Sequence, residues 1–321
     1  MILKHPYAYY LSDYLDFVSG HYADITLEVK RRRLNQLKGI IYDLHAQKQI
    51  STVSPKLLTA DDIVVIIGYR KKRVSVDTVH DDLTTLEGFL KFCGNSAVDK
   101  FKTKYPRFIP KTHHKRKPPL TGNQLLHIIE RSDGVDSSDH LRMRAYAVVI
   151  FSICGGLRNI ELKHARVSNL VIDNEGIRLW LDVVKGGDTY GEARWVPLLP
   201  FGRNFIERYL ESRKIQLDSL GLKSDALIPP LLDNMEFSSD KTLRKLKDYV
   251  SKDVGFNFEL RACRRTYGQF LVDAEVGFEV VQVAMGHNNP NTTYRNYAGV
   301  KTESVPDRVF KQLLNKGKGG E

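Results

Sequence analysis

The sequence predicts a mainly α-helical protein with one small β-sheet, divided into two domains. Three observations carry that expectation. Apolar residues recur at helical spacing on both sides of residue 100, one short stretch alternates as a strand does, and a basic, proline-containing segment separates the two halves. At 321 residues with 42% hydrophobic and 10% aromatic content, the chain can bury at least one full core, and its length suggests two domains.

Residues 1–100 read as a small helical domain. Thr26 precedes a helix carrying Lys30, Arg31, Arg32 and Arg33, a run that suits a DNA backbone and equally suits a solvated charged face. Leu34, Leu37, Ile41 and Leu44 continue that helix on an apolar stripe, and Leu83, Leu86, Leu90 and Cys93 form a second one. His80-Asp81-Asp82 reads as a solvated helix start rather than a metal site. Residues 101–119 form the linker. Phe101–Pro118 carries seven basic residues (Lys102, Lys104, Arg107, Lys111, Lys115, Arg116, Lys117) and no acid, and Pro106, Pro110 and Pro118 block helix continuation.

Residues 120–300 read as the larger domain. Thr121 is placed to cap a helix bearing Leu125, Leu126, Ile128 and Ile129. A second helix, from about Leu141 to Cys154, is apolar along most of its length and belongs at the domain centre; Gly155-Gly156 stops it. Gly176–Val184 and Arg194–Leu198 read as two strands with Lys185-Gly186-Gly187-Asp188 in the turn region between them, and the chain is helical again from Phe201. Residues 301–321 are set apart as a C-terminal helix and tail.

Charge and composition narrow the classes of function. The net charge of +11 points to a polyanionic partner, and its distribution is uneven: residues 1–118 hold 21 Lys and Arg against 12 Asp and Glu, the remainder 28 against 26. No apolar run reaches membrane-span length and no N-terminal signal peptide is recognisable, so a cytoplasmic protein is expected. Cys93, Cys154 and Cys263 have neither disulfide nor zinc-knuckle spacing and read as core residues. There is no P-loop and no His/Cys cluster with metal spacing, so no cofactor is expected.

The chemistry gathers in the second domain. Arg158 follows the glycine pair, where its guanidinium leaves the core within reach of a ligand; pairing with Glu161 on the next turn is the structural alternative. Arg261 and Arg264, three apart, share one helical face, and two cations held together repel unless an anion or a carboxylate lies between them. Arginine's planar fork fits the non-bridging oxygens of a phosphate and stabilises the extra charge of a phosphoryl-transfer transition state. Tyr297 would supply a nucleophile that stores the energy of the broken bond in a phosphotyrosine, needing neither ATP nor metal. His287, after Gly286 at a turn, can donate to a phosphate oxygen, and Lys185 can protonate a leaving 5′ oxygen.

The order of these groups resembles the tyrosine recombinases, or phage-type integrases. Gly155-Gly156-Leu157-Arg158-Asn159-Ile160-Glu161-Leu162 is similar to the family's first-arginine box, Val184-Lys185-Gly186-Gly187 to its hairpin lysine, and Arg264-Arg265-Thr266-Tyr267-Gly268 to its second-arginine box. Gly286-His287 and Tyr297-Ala298-Gly299-Val300 match the remaining two segments. The resemblance implies a helical core-binding domain followed by an α+β catalytic domain, closing as a clamp on duplex DNA. It implies Arg158, Lys185, Arg264 and His287 as activating residues and Tyr297 as nucleophile. It also implies a tetramer on paired sites, a Holliday-junction intermediate, and docking of a C-terminal helix near Val309–Leu314 on a neighbouring subunit. Arg261 stands where most members carry histidine; it remains a donor but does not act as a base near neutral pH. Tyr294 is the rival nucleophile, and Tyr297 is preferred for the three residues after it. The expected function is site-specific DNA recombination; type IB topoisomerase-like relaxation and non-catalytic DNA binding are the alternatives.

Overall fold

The computed structural model describes residues 6–111, 118–184, 191–232, 235–287 and 289, and divides into two compact units, 1–115 and 116–321. The first unit contains α1 (Pro6–Ser19), α2 (Asp24–Ala46), α3 (Ala60–Lys71), α4 (Val76–Phe92), α5 (Ala97–Lys104) and a 3-10 turn at Pro106–Phe108. The two apolar stripes form its core: Leu34, Leu37, Ile41 and Leu44 of α2 and Leu83, Leu86 and Leu90 of α4 are all buried, with Phe89 and Phe101 between them.

Three local expectations need correction in this unit. α2 begins at Asp24, so Thr26 lies inside its first turn rather than ahead of it. His80-Asp81-Asp82 lies within α4, and Asp82 is buried against the equally buried Arg70, with Nη2 to Oδ2 at 2.6 Å. The extended linker begins later than Phe101, because α5 runs to Lys104. Phe101 fills the core, while Lys102 and Lys104 pair with Glu87 and Asp61.

The second unit contains α6 (Gly122–Asp133), α7 (His140–Cys154), α8 (Asn159–His164), β1 (Leu170–Asp173), β2 (Gly176–Leu181), β3 (Arg194–Leu198), α9 (Arg203–Ser219), α10 (Asp240–Asp253), α11 (Leu260–Asp273) and α12 (Phe278–Met285). α7 is buried from Met143 to Cys154 and packs against α9, α10 and α11, as a helix apolar on all sides must. Thr121 and Gln124 form a capping box at the start of α6, although Leu126 of that helix faces solvent. Among the described residues the sheet has three antiparallel strands in the order β1-β2-β3, one more than the sequence indicated. β1 was hidden because its residues are only partly buried. β3 is an edge strand, which is where Pro197 is tolerated.

Among the described residues no helix is long and apolar enough to cross a membrane. All three cysteines are buried and free, and burial pushes the Cys263 thiol up to about 12.

Candidate active site

The site forms where the end of α7, the inner face of β3, and helices α11 and α12 meet. Gly156 turns the chain out of α7 with φ +59°, and a Cβ there would strike the Tyr267 ring of α11. This turn delivers Arg158 as the residue preceding α8. Its backbone N–H donates to Glu161 Oε2 at 2.8 Å and its Nη1 to Glu161 Oε1 at 2.6 Å. The pairing and the ligand-facing readings of Arg158 therefore hold together: it binds Glu161 and still lines the cleft.

Glu161 is the hub. Only 1% exposed, its carboxylate also meets Arg194 Nη2 at 3.1 Å and Arg264 Nη1 at 3.5 Å. Burial pushes its pKa up, but Arg194, Arg264 and Arg158 outweigh burial and hold it below the usual carboxylate range. One carboxylate thus balances one of three guanidiniums, and the surplus positive charge faces a cleft of about 350 Å³. Arg158, Val184, Arg194, Val283, Gly286 and His287 are among the residues that line it, with Glu192 on its exposed side.

α12 ends in a Schellman turn: Gly286 adopts φ +58°, its N–H donates to the Val283 carbonyl, and the His287 N–H donates to the Gln282 carbonyl at 3.0 Å. His287 is thereby fixed at the cleft. Burial pushes its imidazole down, to about 3; Arg264, Arg158 and Arg194 add to the effect and Glu161 opposes it, so the ring is neutral near pH 7.

The structure brings Arg158, Arg264 and His287 together. It does not bring Arg261 with them: one turn before Arg264 on α11, Arg261 is exposed, and neither of these two arginines is among the cleft-lining residues. Arg264 is instead buried, donating to the carbonyls of Gly156 and Met285. Lys185 and Tyr297, with Tyr294 and the expected helix at Val309–Leu314, lie outside the described residues; Val184 and Gly191, which flank residues 185–190, both line the cleft. In the first unit Arg31 lies 3.6 Å from Glu28, Lys30 sits over the Tyr22 ring, and Arg33 pairs with Asp81 at 2.7 Å, while Arg32 is exposed. Lys111 is exposed; Lys115, Arg116 and Lys117 lie outside the described residues.

Sequence reasoning missed Arg194. The signal was present: in Arg194–Leu198 the inward positions are 194, 196 and 198, and a charged residue in core register requires a buried partner.

A cleft of this kind, with several guanidiniums about one carboxylate, has the charge and the donors that suit an anion such as a phosphodiester. Comparison with known proteins narrows that reading. The chain belongs to the phage integrase family, which matches residues 119–304, and is a tyrosine recombinase. It is 22% identical over 242 residues to the tyrosine recombinase XerC of Rickettsia typhi, covering 73% of this chain and 74% of that one. Its fold matches the XerH site-specific recombinase bound to a palindromic difH substrate, with TM-score 0.70 at 15% identity and coverage of 96% and 97%. A lambda integrase dimer bound to a COC′ core site matches with TM-score 0.61 at 14% identity, over 90% of this chain and 94% of that one.

Proposed function

We propose that this recombinase cleaves and rejoins duplex DNA at specific sites by using Arg158 and Arg264 to hold the scissile phosphate, Tyr297 to attack it and Lys185 to protonate the leaving group. One observation carries the reading: Glu161 gathers three guanidiniums, two of which line a cleft together with a neutral His287. A buried cationic surplus favours an anion, and a phosphodiester offers oxygens of matching geometry.

The Tyr297 phenolic oxygen forms a bond to phosphorus as the bond to the 5′ oxygen breaks. The departing 5′ oxygen takes a proton from the Lys185 ammonium, and the phenol gives its own proton to solvent water. Guanidiniums that meet the non-bridging oxygens stabilise the charge that builds on the pentacoordinate phosphorus. The 3′-phosphotyrosine keeps the bond energy, so a 5′ hydroxyl from a second strand rejoins the DNA by the reverse step. Arg261 does not supply a base. Neutral His287 donates to a phosphate oxygen, and a bound phosphate offsets the cations that depress it.

The positive excess of residues 1–118, with Lys30, Arg31, Arg32, Lys111, Lys115, Arg116 and Lys117, supports backbone contacts beyond the cleft; the ion pair of Arg33 makes it the weakest of the candidates. Assembly as a tetramer on paired sites, strand exchange through a Holliday junction, docking of the C-terminal helix on a neighbour, and work at the nucleoid in the cytoplasm follow from the family and are part of this proposal.

The test is a nicked substrate carrying the recombination site, from which the 5′ fragment diffuses away after attack. Wild-type protein is expected to accumulate a covalent adduct in chelator without ATP, whereas Tyr297→Phe forms none. Binding of that DNA without any adduct would leave a DNA-binding protein only, and relaxation of plasmid lacking the site would indicate a topoisomerase.

A further inference from the structure

Arg194 has no assigned step in the chemistry described above, yet it is 8% exposed, lines the cleft and bonds both to Glu161 of α8 and to the Ala284 carbonyl of α12. We propose that Arg194 is a positioning residue for strand cleavage: bridging Glu161 and the Ala284 carbonyl, it fixes the end of α12 and with it the seat of His287.

The last carbonyls of a helix have no partner within the helix. In α12 three consecutive ones are taken by three different arginines. Arg194 Nε donates to the Ala284 carbonyl at 3.2 Å, Arg264 Nη2 donates to that of Met285, and Arg158 Nη2 donates to that of Gly286 at 2.7 Å. Three cations at a helix C-terminus also suit its partial negative charge. Arg194 differs from the other two in coming from the sheet. Its Nη2 meets Glu161 Oε1, the same oxygen that accepts from Arg158, so the two guanidiniums fix each other through one atom.

The approach to α12 is close. A Cβ on Gly286 would lie 2.6 Å from Arg194 Cζ, so the turn that sets His287 is packed directly on this guanidinium. In the chain, Arg194 closes the connection that begins after β2 and includes Lys185. It therefore ties the strand at one end of that connection to the helix end that presents His287. Arg194 acts through these groups rather than on the substrate.

The inference rests on the assignment of His287 to the phosphate site. Its test compares Arg194→Lys and Arg194→Met with wild type. Lysine restores the charge, but a single ammonium does not reproduce a fork that donates in two directions. In both variants single-turnover cleavage of the nicked substrate is expected to fall about 10- to 100-fold, the loss that a misplacement on the order of 1 Å causes. Affinity for the same DNA at fixed salt is expected to stay within about threefold, because the phosphate contacts elsewhere remain. In NMR of the free proteins the His287 ring signals are expected to shift in both variants, and in Arg194→Met the midpoint of the His287 titration rises with the loss of a neighbouring cation. Among the described residues Glu161, Glu192, Arg158 and Arg264 are the other charged groups about that ring, and they stay unchanged. Cleavage by Arg194→Lys at the wild-type rate would overturn the proposal, since charge alone would then suffice. So would a cleavage loss matched by an equal loss of affinity, or His287 signals that do not move. Failure of wild type to form any adduct would sink the functional reading instead, and the NMR comparison would still report on the positioning.

Discussion

A carboxylate at 1% exposure persists in a protein core where cations surround it, and Glu161 has three. The same cations act on His287, and their effect is testable. The unfolded imidazole titrates near 6.5, whereas burial and the arginines hold the folded one at about 3. As pH falls, the unfolded chain therefore takes up this proton first. The contribution of neutral His287 to stability is complete above about pH 6.5 and is lost as pH falls from there toward 3. Urea unfolding at pH 7 and pH 5 should give His287→Gln a smaller acid-side loss of stability than wild type; identical losses would contradict the assignment. Arg158 and His287 were legible in the sequence because glycines mark the turns that present them, and Arg264 because it stands three residues after Arg261 on one helix. Arg194 was not, because its partner Glu161 lies 33 residues away, a separation that no helical or strand period encodes.

Elements were legible where one face is consistently apolar. α2 and α4 followed from their stripes, and α7 followed from its unbroken apolar run. β1 and the true start of α2 were not, since half-buried strands and an uncapped first turn leave little pattern. Asp82 was misread for a related reason: a charged side chain in the core looks like a surface residue until Arg70 is found opposite it. The turn after α7 is the element on which the site depends most. Gly156 combines a left-handed φ with a Tyr267 ring where a Cβ would stand. Gly156→Ala adds backbone strain and a steric overlap and is expected to destabilise the second unit by about 2–4 kcal/mol, read as a lower urea midpoint. A midpoint within experimental error of wild type would show that the turn has another conformation open to it.

At the scale of the molecule, the sequence placed a helical unit before a mainly helical one with a small sheet, and the chain divides in that way. Charge was informative in the same manner, since most of the positive excess lies in the first unit while the candidate site lies in the second. What remained illegible is the arrangement that only folding creates: one buried glutamate that collects arginines from the α7–α8 turn, from β3 and from α11. The central claim is that this cluster serves attack by Tyr297, and the chain itself provides a direct way to test it. Arg295 lies between Tyr294 and Tyr297, so trypsin separates the two candidates. The decisive measurement is mass spectrometry of the trapped adduct after nuclease and trypsin digestion. The expected result is a nucleotide remnant on the peptide Asn296–Lys301, which contains Tyr297; a remnant on the peptide ending at Arg295, which contains Tyr294, would contradict the account.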